Sequence, residues 1–108
     1  MRLRHLLTRA ELEQAEALGV YRPASLAREG FIHLSTEAQW QKTAARFFAG
    51  RTGRVLLAID PARAGAEVRF EPADGELFPH LYGPLPLAAV LAVHVVAEDA
   101  AGRWSIAF

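Results

Sequence analysis

Five consecutive apolar residues, Val55-Leu56-Leu57-Ala58-Ile59, constrain this chain more than any other stretch. Side chains of a strand alternate between its two faces, so a run with no polar residue on either face must be covered on both. This segment is expected to be the central strand of a sheet with packing above and below it. Asp60-Pro61 stops the run, Asp60 serving as a turn residue that caps local N–H groups. A chain of 108 residues supports one such core and not two, which predicts one domain over residues 1–108.

The flanking sequence supplies the other elements. Leu3, His5 and Leu7 alternate with Arg2, Arg4 and Leu6 as a first strand. Thr8-x-x-Glu11 is a capping box, Leu12, Ala15 and Leu18 follow at roughly helical spacing, and Gly19 supplies the left-handed stop. Residues 20–30 read as a connecting loop with one helical turn near its end. Gly30 to Ser35 reads as a strand with Phe31, His33 and Ser35 on one face and Ile32 and Leu34 on the other. Thr36-x-x-Gln39 is a second capping box, opening a helix whose stripe is Trp40, Ala44, Phe47 and Phe48 and whose end is Gly50.

In the second half, Val68 and Phe70 alternate with Glu67, Arg69 and Glu71, and residues 73–76 form a turn. Leu77 to Pro84 holds two prolines and a glycine, which argues against an ordinary central strand. Leu85 to Ala88 reads as another connection, Val90 to Val96 as a strand, and Trp104, Ile106 and Phe108 as alternating positions of a last strand. About two helices and six strands, with the helices early, predict an α+β fold with a mixed, largely antiparallel sheet.

Twelve basic residues balance twelve acidic ones, so no broad positive field exists and nucleic acid is not favoured as a partner. The absence of cysteine removes disulfides, thiolate nucleophiles and Cys-ligated zinc. Met1-Arg2-Leu3-Arg4-His5 has no apolar leader and no run reaches the length of a membrane span, so no membrane partner and a cytoplasmic location are expected. Neither the Gly-rich dinucleotide fingerprint nor a P-loop is present.

Four histidines lead the candidates for chemistry. His5 and His94 lie among apolar residues of strands and read as core or edge histidines satisfied by a hydrogen bond. His33, on one face with Ser35 and just before a helix, suits a group that fixes a ligand's hydroxyl or carbonyl. His80 sits in an aromatic segment that is costly to order unless it packs or binds. Glu71 and Glu76 are carboxylates suited to a ribose or a developing cation. Tyr21 and Tyr82 lie in loops and can line a pocket by stacking, whereas Phe31, Trp40, Phe47, Phe48, Phe70 and Phe78 read mostly as core. A hydrolase triad of Ser35, His33 or His80, and Asp60 lacks any nucleophile elbow. A metal site of His33, His80 and Glu71 lacks ligand spacing, so no metal is expected.

Tyr21, Ser25-Leu26, Glu29-Gly30-Phe31-Ile32-His33-Leu34-Ser35, Leu57-x-Ile59-Asp60, Glu71-Pro72 and Glu76-Leu77-Phe78-Pro79-His80-Leu81-Tyr82-Gly83-Pro84-Leu85 together resemble the DUF952 family, small bacterial proteins of unknown function. The resemblance spans nearly the whole chain. It implies a fold similar to the ADP-ribosyltransferase superfamily, which binds NAD in the cleft of a split β-sheet. It further implies that His33 with Ser35 contacts the nicotinamide ribose and carboxamide, that Tyr82 or Tyr21 stacks on nicotinamide, and that Glu71 or Glu76 assists transfer. The expectation is a cleft lined by His33, Ser35, Glu71, His80 and Tyr82 that takes NAD or a related nucleotide and transfers or hydrolyses ADP-ribose. A non-catalytic small-ligand or protein-interaction module is the competing expectation. Convergence of His33 and a glutamate on one pocket separates the two.

Overall fold

The computed structural model describes residues 1–107. Val55 to Ile59 lies at the centre of a five-stranded sheet, as its unbroken apolar run requires. Strand β5 (Arg54–Ile59) pairs with β1 (Leu3–Thr8) on one side and with β9 (Val90–Glu98) on the other, while β4 (Ser35–Thr36) and β10 (Trp104–Ile106) form the edges. All five apolar residues are fully buried. Val55, Leu57 and Ile59 pack with Leu3 and Leu7 and with Leu12 and Ala15 of α1 (Arg9–Leu18). Leu56 packs on the opposite face with Leu6, Trp104, and Trp40 and Ala44 of the helix over Trp40–Phe47. Burying a leucine side chain stabilises by about 1.5–3 kcal/mol, and here both faces of one strand collect that term.

The first helix follows its capping signals, with Leu12 and Ala15 buried, although Leu18 of the expected stripe is exposed at the helix end. The Thr8 hydroxyl accepts from Glu11 N–H, the Glu11 carboxylate accepts from Thr8 N–H, and Gly19 ends the helix with φ 76°. Two stretches expected as connections instead pair with each other, β2 (Val20–Tyr21) with β8 (Leu85–Pro86). Pairings of two residues carry no periodicity, so the sequence gives no warning of them. The helical turn near residue 29 is a full short helix, α2 (Ala24–Glu29), closed by Gly30 at φ 86°. Among the described residues there are thus three α-helices where about two were expected.

The segment through His33 is broken. Ile32–His33 forms β3 in a second, three-stranded sheet of order β3, β7 (Glu76–Leu81), β6 (Val68–Ala73), whereas Ser35–Thr36 forms β4 in the large sheet. The chain crosses between sheets at Leu34, whose N–H reaches Pro79 O at 3.0 Å. The face alternation holds only up to the break: Ile32 and Leu34 are buried and His33 is exposed, but Ser35, expected on the side of His33, is buried. The second capping box forms only in half. Gln39 Oε1 accepts from Thr36 N–H, but Gln39 N–H goes to the Thr36 carbonyl, so a turn precedes α3 (Trp40–Phe47).

Strand β7 corrects the reading of Leu77 to Pro84, for it is the middle strand of its sheet despite Pro79. N–H and C=O of one residue face the same neighbour in an antiparallel ladder. The missing donor of Pro79 therefore falls on the side of β3, where regular pairing has already ended at His33↔His80. The hairpin between β6 and β7 turns at Asp74-Gly75, with φ of 50° and 84°, the positive-φ pair that a two-residue hairpin favours. Phe47 and Phe70, expected in the core, are 53% and 44% exposed. Phe70 lies on an edge strand and Phe47 in the last turn of α3, so neither has a full second layer above it. Phe108 lies outside the described residues. Every strand pairing among the described residues is antiparallel, and no helix among them is long and apolar enough to cross a membrane.

Candidate functional site

Strand β4 covers only Leu3 and Arg4 of β1, leaving the edge of β1 from His5 onward without a strand partner on that side. A cavity of about 550 Å³ occupies this gap between the two sheets. His33 of β3 and Phe78 and His80 of β7 form one wall. Trp40, Thr43 and Phe47 of α3, with Phe48, form another, and His5, Leu6, Leu34, Ser35, Arg28, Ala73 and Asp74 complete the lining. The hairpin and α3 are tied across this space by Gln39 Nε2, which donates to Glu76 Oε1 at 2.9 Å and Leu77 O at 2.7 Å, and by the Lys42–Glu76 and Arg46–Asp74 ion pairs.

Cross-strand pairing sets the chemistry of the first wall. Partners in an antiparallel ladder share a face, so the register His33↔His80 and Arg69↔His80 aligns these side chains, with Glu71 two residues along β6. His80 Nδ1 lies 2.9 Å from Glu71 Oε1, and the same oxygen accepts from Tyr82 O–H at 2.5 Å. An ionised carboxylate only accepts, so Nδ1 carries a proton, and the tautomer this selects has its lone pair on Nε2. That Nε2 is buried and has no hydrogen-bond partner. The Phe31 ring stacks on His80 at 4.1 Å, and the His33 ring meets it edge-on at 5.2 Å.

Each of these histidines has a carboxylate behind it. His33 Nε2 bonds the Glu29 carboxylate, four residues earlier at the end of α2, and that bond holds the Glu29 carboxyl below its usual range. The Tyr82 hydroxyl, and after it the His80 ring, do the same for Glu71, while Glu71 in turn pushes the Tyr82 phenol up. Arg69 lies 4.5 Å over the Tyr82 ring and pairs with Glu67. Lys42 and then Gln39 hold the Glu76 carboxyl down.

His5 joins the two sheets. Its Nδ1 lies 2.7 Å from His33 O and its Nε2 2.9 Å from the Tyr21 hydroxyl. Since a carbonyl can only accept, Nδ1–H donates and Nε2 accepts from Tyr21 O–H. Desolvation lowers the His5 pKa to about 4, and burial pushes the Tyr21 phenol up.

Of the seven residues expected at the site, His33, Ser35 and His80 line the cavity. Glu71 stands behind His80 and Tyr82 behind Glu71. Glu76 belongs to the contact with α3, and buried Tyr21 touches the site through His5. Residues that sequence reasoning did not assign to the site include Arg28, Thr43 and Phe78, and His5 was read as structural. No local pattern marks Arg28, whereas Phe78 shares a strand face with His80, a signal that was present in the alternation. Among the described residues no group of three His, Asp or Glu side chains is arranged to hold a metal ion.

Fold and site together define a small α+β domain with a histidine-bearing cavity between two antiparallel sheets. Residues 6–93 match the family model described as "Protein of unknown function (DUF952)", and the chain belongs to this family. It is similar to the crystal structure of protein CC0527 from Caulobacter crescentus, at 36% identity over 97% of this chain and 94% of that one, with a TM-score of 0.87. The solution NMR structure of CC0527 gives 38% identity over 94% and 90% of the two chains and a TM-score of 0.82. No curated protein matches.

Proposed function

We propose that the cavity binds NAD or a related nucleotide and that the protein cleaves or transfers at the ribosyl bond, as an ADP-ribosyltransferase-like fold would suggest. One observation carries this reading: His33 and His80 share one cavity wall, Glu71 stands behind His80, and His80 Nε2 is left without a partner. A buried acceptor with no donor costs about 1–3 kcal/mol, which a ligand hydroxyl would offset. In the reaction the C1′–N bond breaks and its electron pair leaves on the ring nitrogen, neutralising the pyridinium. The hydroxyl of water or an acceptor captures the ribosyl cation, a C1′–O bond forms, and the released proton passes to His80 Nε2. Glu71 orients the imidazole and stabilises its charged form.

Binding without chemistry is the second reading, and it too has a specific observation behind it. Asp74 is the one carboxylate among the cavity-lining residues, and it is held by Arg46 at 3.3 Å, so no free carboxylate faces a developing ribosyl cation. Chromatographic assay of nicotinamide released from NAD and from nicotinamide mononucleotide separates the two. The enzyme reading expects turnover that drops at least about a hundredfold in His80→Ala. Saturable binding with no release in the wild type would establish the binding reading instead, and absence of binding would reject both.

A further inference from the structure

Arg28 is the one lysine or arginine on the cavity wall, and among the described residues it makes no ion pair. It stands in the last turn of α2, at the helix end whose partial negative charge disfavours anions. The other lining charge, Asp74, is an anion already held by Arg46. Sites for a pyrophosphate gather several cations or a helix N-terminus with free N–H groups. One guanidinium at a helix C-terminus provides for a single anionic group.

The rest of the wall suits the remainder of a small nucleotide. Trp40, Phe47, Phe48 and Phe78 offer flat apolar faces on which a base can stack. His33 and His80, with the Ser35 and Thr43 hydroxyls, offer hydrogen bonds for a sugar. We infer that the cavity is built for a nucleoside monophosphate, its base against the aromatic wall, its ribose at the histidines and its one phosphate at Arg28, in preference to a dinucleotide. This rests on the reading of the cavity as a nucleotide site and narrows its ligand.

The test is calorimetric titration of the wild type, Arg28→Gln and Arg28→Lys with AMP, nicotinamide mononucleotide, adenosine, nicotinamide riboside, NAD and ADP-ribose. Arg28 is exposed, so its substitution leaves the packing intact. The monophosphates should bind at least as tightly as NAD and ADP-ribose and about tenfold more tightly than the nucleosides. Arg28→Gln should erase that tenfold and leave nucleoside binding unchanged, and Arg28→Lys should keep most of it. NAD or ADP-ribose binding tenfold more tightly than both monophosphates would overturn the inference while preserving the nucleotide reading. Equal affinity for nucleoside and monophosphate would overturn it too, and failure of all six ligands would reject the nucleotide site itself.

Discussion

Two histidines of this chain are each fixed in one tautomer by their neighbours. His80 is fixed by a carboxylate, while His5 is fixed by a carbonyl on one nitrogen and a phenol on the other. The His5 arrangement has a thermodynamic consequence. Its folded pKa of about 4 lies below the ordinary imidazole value of about 6.5, so the unfolded chain binds the extra proton first. The stability that neutral His5 contributes is complete above about pH 6.5, declines as pH falls through that range and is gone below about pH 4. The loss amounts to at most about 3 kcal/mol. Thermal unfolding followed from pH 7 to pH 4 should show this decline in the wild type. His5→Asn, which keeps a donor and an acceptor but does not titrate, should flatten it.

The residue scale was partly legible. The alternation Phe31, His33, Ser35 against Ile32, Leu34 holds for His33, which faces the cavity, and for buried Ile32, but Leu34 lines the cavity as well, Ser35 is buried, and Phe31 is not among the lining residues. Which carboxylate would meet which histidine was not legible, because the Glu71–His80 contact depends on the register between β6 and β7, a non-local quantity.

Among the elements, the contact between α3 and the β6–β7 hairpin holds the cavity together, and its parts differ greatly in worth. Gln39 is 7% exposed, and its side-chain amide makes three hydrogen bonds, to Thr36 N–H, Glu76 and the Leu77 carbonyl. Gln39→Ala removes partners from two backbone groups in a partly buried setting and should cost about 2–3 kcal/mol in urea unfolding. Lys42→Ala removes an exposed ion pair to the same Glu76 and should cost less than about 1 kcal/mol. A Lys42→Ala effect as large as that of Gln39→Ala would mean that charge, not the buried amide, fastens the hairpin. The long elements were visible in the sequence, β5 from its unbroken apolar run and α1 and α3 from their helical spacing. Two-residue strands β2 and β8 were not, since two residues define no period and their pairing is set by what surrounds them, while β3 and β4 were legible as one strand from Gly30 to Ser35 without the break at Leu34 that puts them in different sheets. The central position of β7 was masked by Pro79, whose local cost is removed by where β3 happens to end.

For the molecule as a whole, stability is concentrated in the central strands and thins toward β9. Leu57 is fully buried between two layers, whereas Leu91, Val93 and Val95 of β9 are 44%, 46% and 51% exposed. Leu57→Ala should therefore cost about 2–5 kcal/mol, and Val93→Ala less than about 1 kcal/mol, in denaturant unfolding. The same architecture makes the site. A large sheet and a small one share the crossing at Leu34, and the edge left uncovered on β1 opens the cavity into which His33 and His80 are brought. The most direct test of that account is a two-dimensional NMR titration that follows the histidine ring nitrogens and the two tryptophan indole N–H signals as nicotinamide mononucleotide is added. The imidazole signals of His33 and His80 and the indole signal of Trp40 should move together and saturate, while Trp104, which does not line the cavity, should move less. Saturable shifts confined to other residues, or no shifts at millimolar ligand, would contradict it.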